Sequence, residues 1–337
     1  MLSYRILIGD TRSVPTIESD SVHLVCTSPP YGKAVHYSDN PDNLGNYADD
    51  EFVQLMKPAF KEWYRVLKPG RRCVVNIEDL VSSSKEDERM YHFSIDRKFK
   101  DLANEVGFVH EDTIVWCKAG VTRPSSSISL GTFPYPGSPV FTHGFEPCYI
   151  FRKPGTPDWS HVYSVDREAS RLTSDQIWDY SFSSWHISPE TKKSYHPAPF
   201  PIELPRRFIR LFTFKHEVVY EPFLGSGTTM TSAVQEGRAC IGTELGYDAK
   251  DGKPWLEHTK EEIGWANQTF INENIIWRVE TTLGEVLESI ETQKPDKLSV
   301  KKGTLDIDYE EKAKPVELPE GDSIWEKHID KGQEKFS

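Results

Sequence analysis

The chain has 337 residues, 37% hydrophobic and 12% aromatic, enough to bury a full α/β domain with room for a smaller module or tail. Mean hydropathy is −0.55 and no apolar run spans a bilayer, which excludes a helical membrane protein; the opening MLSYRILIGD lacks both segments of a secretory signal, so a cytoplasmic location is expected. Net charge is −12, but from Tyr247 onward 21 acidic residues face 13 basic ones, so the preceding chain is nearly balanced and a local basic groove for nucleic acid is neither granted nor forbidden.

Cys26, Cys73, Cys117, Cys148 and Cys240 are scattered through apolar stretches without a C-x-x-C pair or a His/Cys ligand spacing, so reduced core thiols are expected and a metal site is not. In chain order, short apolar runs predict strands at Tyr4–Ile8 and Val22–Cys26. From Asp50 to Leu67, the residues Phe52, Met56, Phe60, Trp63 and Leu67 form one apolar helical face that Lys68-Pro69-Gly70 should stop. Strands follow at Cys73–Ile77, Thr113–Trp116 and Cys148–Phe151. Next come a helix at Leu204–Phe212, a strand at Val218–Tyr220, a helix at Thr229–Glu236 and a strand at Ala239–Gly242. This alternation predicts an α/β, Rossmann-like fold: a seven-stranded, mostly parallel sheet with helices on both faces. Residues 119–147 and 155–201 mix Ser, Pro, Gly and aromatics without a period and are expected to be irregular excursions at the sheet edge. From about Glu280 the composition is that of a polar tail or small appendage.

Two loops carry chemistry. The strand ending in Tyr220 runs through Glu221-Pro222-Phe223-Leu224-Gly225-Ser226-Gly227 into a helix opening with Thr228-Thr229, so backbone N–H groups can approach a ligand closely. The Lys of a phosphate-binding P-loop is missing, and the next strand ends in Glu244, where a carboxylate can accept from ribose hydroxyls. An adenosine cofactor without phosphates, such as S-adenosylmethionine, suits that pair.

The strand ending in Cys26 runs into Thr27-Ser28-Pro29-Pro30-Tyr31, where two prolines fix φ and leave stiffly presented carbonyls. An exocyclic amine is a poor nucleophile because its lone pair is delocalised into the ring. A hydroxyl and a fixed carbonyl accepting its N–H bonds draw the nitrogen toward tetrahedral geometry, and an adjacent tyrosine can stack on an extruded base.

Thr27-Ser28-Pro29-Pro30-Tyr31 resembles motif IV of amino-directed DNA methyltransferases, and Glu221 to Thr229 resembles their motif I. His196 to Phe200 and Pro201 are similar to motif X, Ile8-Gly9-Asp10 to motif III, and Arg65 to Gly70 and Ile114 to Lys118 to the motifs on later strands. The resemblance covers most of residues 4–245, and the catalytic loop precedes the cofactor loop, the circularly permuted β-class order. It implies four parts: residues 1–118 as a catalytic half, 119–195 as the last strand and an inserted target-recognition region, 196–279 as a cofactor-binding half, and 280–337 as an acidic tail. It also implies that Ser28, Pro29, Pro30 and Tyr31 are catalytic. Asp10, Thr27, His196, Phe200, Pro201, Glu221, Pro222, Phe223, Gly225, Ser226, Gly227, Thr228, Thr229, Glu244 and Leu245 would line S-adenosylmethionine. Ser28, where many members carry an acid, implies cytosine N4 as target, with adenine N6 the alternative.

The implied partner is double-stranded DNA with a flipped base, and a cognate restriction endonuclease can share the site. Arg123, Arg152, Lys153, Arg167, Arg171, Lys192 and Lys193 are candidate DNA contacts, with Trp159, Trp178, Trp185 and Tyr180 as candidate wedges. Pro147-Cys148 matches the nucleophile of cytosine C5 methyltransferases, but Cys148 opens the run Cys-Tyr-Ile-Phe and reads as a buried strand cysteine. A methyltransferase for RNA, protein or a small molecule, and a DNA-binding regulator without turnover, remain open.

Overall fold

The runs of branched and aromatic residues pair edge to edge in the computed structural model, which describes residues 3–32, 43–47, 49–79, 93–119, 132–139, 141, 143–190, 200–245 and 276–281. The strands are β1 (Ser3–Ile8), β2 (Val22–Thr27), β3 (Leu67–Asn76), β4 (Val109–Lys118), β5 (Phe145–Arg152), β6 (Ser184–Ile187), β7 (Val218–Glu221), β8 (Ala239–Glu244) and β9 (Ile276–Thr281). They form a nine-stranded sheet in the order β6-β4-β5-β3-β2-β7-β8-β1-β9. All seven expected strands are there, and the sheet is larger than expected by its two edges, β6 and β9. The only antiparallel pairings described are those of β5, which runs between β3 and β4.

Period-two alternation puts Val25, Cys73 and Val75 on one face of the sheet and Leu24, Cys26 and Val74 on the other. The first face packs against α1 (Asp49–Val66) and α2 (Ile95–Val106), whose Phe52, Met56, Phe60, Trp63 and Phe99 are fully buried. At about 1.5–3 kcal/mol for each such side chain, this stripe anchors the helix layer. The second face packs against α5 (Glu203–Phe212) and α6 (Thr228–Gln235) through Leu204, Phe208 and Met230. Leu67, expected to end α1, instead begins β3, which bulges against β2 across Lys68-Pro69-Gly70.

Residues 155–201 are less irregular than expected. They include α3 (Ser164–Ala169), α4 (Ser174–Ser181) and β6, which adds to the sheet parallel to β4. Short elements leave no period to read, and α4 is announced instead by a capping box in which Thr173 and Gln176 exchange hydrogen bonds. At the other edge, β9 straddles position 280, where the tail was expected to begin.

From β2 the chain continues to β3 on one side, and from β7 to β8 on the other. The topology therefore reverses between β2 and β7, and the crevice outside their carboxyl ends is the default ligand site of such a sheet. Both chemistry-bearing loops leave from those two ends.

Candidate active site

Gly225 (φ +50°) and Gly227 (φ +81°) take left-handed backbone that a side chain disfavours, and they turn the chain from β7 into α6. Leu224 N–H donates to Thr243 O at 2.9 Å, and Leu224 fills the space over Gly242, where an added Cβ would lie 2.6 Å from Leu224 Cδ1. The loop therefore rests on β8 because position 242 has no side chain.

Glu221, at the end of β7, is buried and accepts from Thr27 Oγ1 at 2.5 Å, Thr229 Oγ1 at 2.6 Å and Phe223 N–H at 3.1 Å. Burial pushes its carboxyl up to about 8, although those three hydrogen bonds work against the shift. A cationic ligand group here would favour the ionised form. The bond from Thr27 also joins the proline loop to the glycine loop across 194 residues of sequence. Glu244 accepts from Gly225 N–H at 2.8 Å and Leu245 N–H at 3.1 Å, and its carbonyl accepts from Gly9 N–H at 2.8 Å, which sets Asp10 beside it. Asp10 is clamped by Arg12, whose Nε donates at 2.7 Å.

Ser28 lies just beyond β2, with Pro29 buried behind it. Its Oγ donates to Tyr31 Oη at 3.4 Å, and Tyr31 Oη donates to Glu146 Oε2 at 2.9 Å. Lys118 Nζ meets Glu146 Oε1 at 2.7 Å; burial opposes the Lys118 charge, but Glu146 and then Glu78 hold its pKa above the ordinary value. The Ser28 side of the crevice opens into a pocket lined by Thr27, Phe200, Leu204, Phe208 and Thr229. Asn76 also lines it. Its Nδ2 donates to Pro147 O at 3.2 Å, and its Oδ1 is buried without a hydrogen-bond partner. An orphaned buried acceptor costs about 1–3 kcal/mol, so it is placed to receive a donor from a ligand. The unpartnered Asn76 acceptor, and the Glu221 carboxylate bonded to the pocket-lining Thr27 and Thr229, suit a donor-rich cationic group.

The structure thus brings together Ser28 to Tyr31, Asp10, Thr27, Phe200, Pro201, Glu221 to Phe223, Gly225 to Thr229, Glu244 and Leu245 at one rim of the sheet. His196, Arg123, Lys192 and Lys193 lie outside the described residues. Glu146, Glu78 and Asn76 were not singled out in sequence, and Lys118 appeared only as the end of a later-strand motif. They stand at strand ends, and only the antiparallel insertion of β5 sets Cys148 beside Asn76 and Glu146 beside Trp116.

Four expected DNA contacts sit elsewhere. Arg152 ends β5 beside Arg72 and Val109, six residues or roughly 20 Å from Glu146 at about 3.3 Å per residue, and it pairs with Glu111. Lys153 is buried, its ammonium spent on Asp20 and the carbonyls of Tyr64 and Leu67. Arg167 stacks over Phe214 and Arg171 faces Glu168; Asp166 and Ser170 bind His216 and Lys215, just before β7, so α3 lies at the amino end of the sheet. Of the expected wedges, Trp185 and Tyr180 are buried core, and Trp159 covers Arg71. Cys148 is buried and its thiol is pushed up by burial, so it behaves as a strand residue.

At that same amino end, His23, His161 and Glu217 approach one another from three segments. Val218 N–H donates to His23 Nδ1 at 3.1 Å, so the neutral ring carries its proton on Nε2 and offers no lone pair there. Glu217 is already forked by Arg71 and bonded by His161 and Phe214 N–H. The trio is a hydrogen-bonded hub that ties β2, β3 and β7 to residues 155–163.

A permuted, mostly parallel sheet with a glycine loop and a serine-proline loop at its switch point defines the class: a Rossmann-like methyltransferase fold. A family model described as DNA methylase, of the N6 and N4 type, matches residues 22–252, and the chain belongs to this β-class family of amino-directed DNA methyltransferases. Type II methyltransferase M.MjaI of Methanocaldococcus jannaschii is 32% identical over 293 residues, 78% of this chain and 91% of its own length. Type II methyltransferase M.MthZI of Methanothermobacter thermautotrophicus is 26% identical over 271 residues, 74% of this chain and 75% of its own. A putative DNA modification methylase from Thermus thermophilus, solved in complex with S-adenosyl-L-methionine, superposes with a TM-score of 0.63 at 26% identity over 82% of this chain and 97% of its own. The cytosine-N4-specific PvuII DNA methyltransferase shares the fold, with a TM-score of 0.53 at 20% identity over 84% of this chain and 98% of its own. Among the described residues, no helix is long and apolar enough to cross a membrane.

Proposed function

We propose that this protein is a site-specific DNA methyltransferase that transfers a methyl group from S-adenosylmethionine to the exocyclic N4 of cytosine. The hydrogen bond from Thr27 to Glu221 carries the reading, because it holds a loop suited to an amine against a loop suited to an adenosine cofactor. When bound, S-adenosylmethionine supplies a methyl group activated on a sulfonium. Glu221 and Asn76 would accept from the cofactor's ammonium, Glu244 would take the ribose hydroxyls, and Asp10 would hold the adenine end. Ser28 Oγ and a carbonyl of the proline loop accept the two N–H groups of the target amine, and Tyr31 stacks on the flipped base.

Cytosine rather than adenine rests on Ser28, whose hydroxyl occupies the position where an acid accompanies adenine N6 chemistry. DNA approaches the rim that carries Ser28, where Phe145, at the start of β5, is exposed, together with Phe133, Tyr135 and Phe141 on the preceding connection. The type II relatives favour a modification role, alone or beside a restriction endonuclease acting on the same site. Labelled cofactor, unmethylated DNA and digestion to nucleosides test the proposal. Label in N4-methylcytosine supports it, label in N6-methyladenine transfers it to the other base, and no label on any DNA refutes it. Ser28→Ala and Tyr31→Ala should abolish turnover while cofactor binding survives; loss of cofactor binding would mean that the loop is misassigned.

A further inference from the structure

A line of hydrogen bonds starts at the catalytic loop and leads away from it. Its donors point one way: Ser28 Oγ to Tyr31 Oη at 3.4 Å, then Tyr31 Oη to Glu146 Oε2 at 2.9 Å. Beyond Glu146 stand Lys118 at 2.7 Å, Glu78 at 3.6 Å from Lys118, and His143 Nδ1 at 3.3 Å from Glu78. The Glu146 side chain is 9% exposed, whereas those of Glu78 and His143 are 29% and 28% exposed, so the line runs from a buried carboxylate to the solvent edge. A half-buried Lys–Glu pair can satisfy itself without a tyrosine, so the added Tyr31 bond connects this carboxylate to the catalytic loop.

Methylation of an amine makes a proton. The nitrogen lone pair forms the N–C bond while the C–S bond breaks with its electrons left on sulfur, and the methylated nitrogen then carries one proton too many. In a site closed to water, the acceptor must lie within hydrogen-bond reach. We propose that Ser28, Tyr31 and Glu146 are the proton exit of the reaction. The amine proton passes to Ser28 Oγ as the Ser28 hydroxyl proton passes to Tyr31 and the Tyr31 proton to Glu146. Glu146 is left neutral and both hydroxyls are restored; the proton then leaves past Glu78 and His143. The inference rests on the amino-methyltransferase reading above. Glu146 acts through Tyr31 and is a positioning residue. The charged and titratable groups facing it are Tyr31, Lys118, Glu78 and Cys148.

Single-turnover methyl transfer to unmethylated genomic DNA, followed against pH, tests the relay. E146Q and Y31F should each slow the step by about 10²-fold, the usual size of a lost proton acceptor. The double variant should be no slower than either one, and the cofactor Kd should stay within about two-fold. Wild type should show a rising rate–pH limb that E146Q abolishes. A wild-type rate and pH profile in E146Q would overturn the relay alone. So would a slowed E146Q that keeps the pH limb and loses thermal stability to match, which marks a structural role. If wild type labels no DNA base, the parent reading fails and the relay fails with it.

Discussion

Replacing Glu221 by Gln removes a buried charge at nearly constant shape, and it should move folding stability and cofactor affinity in opposite directions. Burial raises the Glu221 carboxyl from its ordinary 4.5 to about 8. A folded pKa above the unfolded one means that the stability contributed by this group is fully present below about pH 4.5 and is lost as pH rises through 8. A rise of about 3.5 units at about 1.4 kcal/mol each corresponds to on the order of 5 kcal/mol lost by pH 9, less if the site relaxes on ionisation. Urea unfolding of the cofactor-free protein at pH 5, 7 and 9 measures it: Glu221→Gln should flatten the alkaline decline by that amount. Titration calorimetry should show the cofactor Kd rising about 10²-fold in the variant, since a charge-assisted hydrogen bond contributes about 1.5–3 kcal/mol. In wild type below pH 8, the binding heat should depend on the buffer, because the ammonium favours ionised Glu221 and a proton is released. Equal pH slopes for the two proteins, or an unchanged Kd, would refute this reasoning.

Gly242→Ala places a Cβ 2.6 Å from Leu224 Cδ1 and should cost about 1–3 kcal/mol in urea unfolding, with weaker cofactor binding that Leu224→Ala partly restores. Asn76→Leu removes the orphaned acceptor of the pocket, and calorimetry should show cofactor affinity falling about ten-fold with unfolding free energy changed by less than about 1 kcal/mol. Burial first, then Arg71, Lys68 and His161, lower His23 to about 3. Its contribution to stability is therefore present above about pH 6.5 and lost as pH falls toward 3, and His23→Asn should flatten the acid limb of a circular-dichroism titration over that interval.

The proline and glycine loops were legible in sequence because each is contiguous and its chemistry depends on local backbone: fixed φ at Pro29 and Pro30, left-handed turns at Gly225 and Gly227. The seven central strands were legible for the same kind of reason, since alternation between two buried faces is written residue by residue. The edge strands β6 and β9 were not, because half-covered edges leave no strong pattern. Basic residues misled for a related reason. Lys153 and Arg152 follow an apolar strand in the chain, but whether a cation meets DNA or a carbonyl depends on which end of the sheet it reaches, and β5 runs backwards. The sequence by itself determined the family and the backbone character of the proline and glycine loops, all carried by short-range geometry. Only the tertiary structure decided that Asn76 shares the pocket with Ser28 and that Glu146 reaches both Tyr31 and Lys118, because strand pairing between residues about 30 and about 70 apart sets them there.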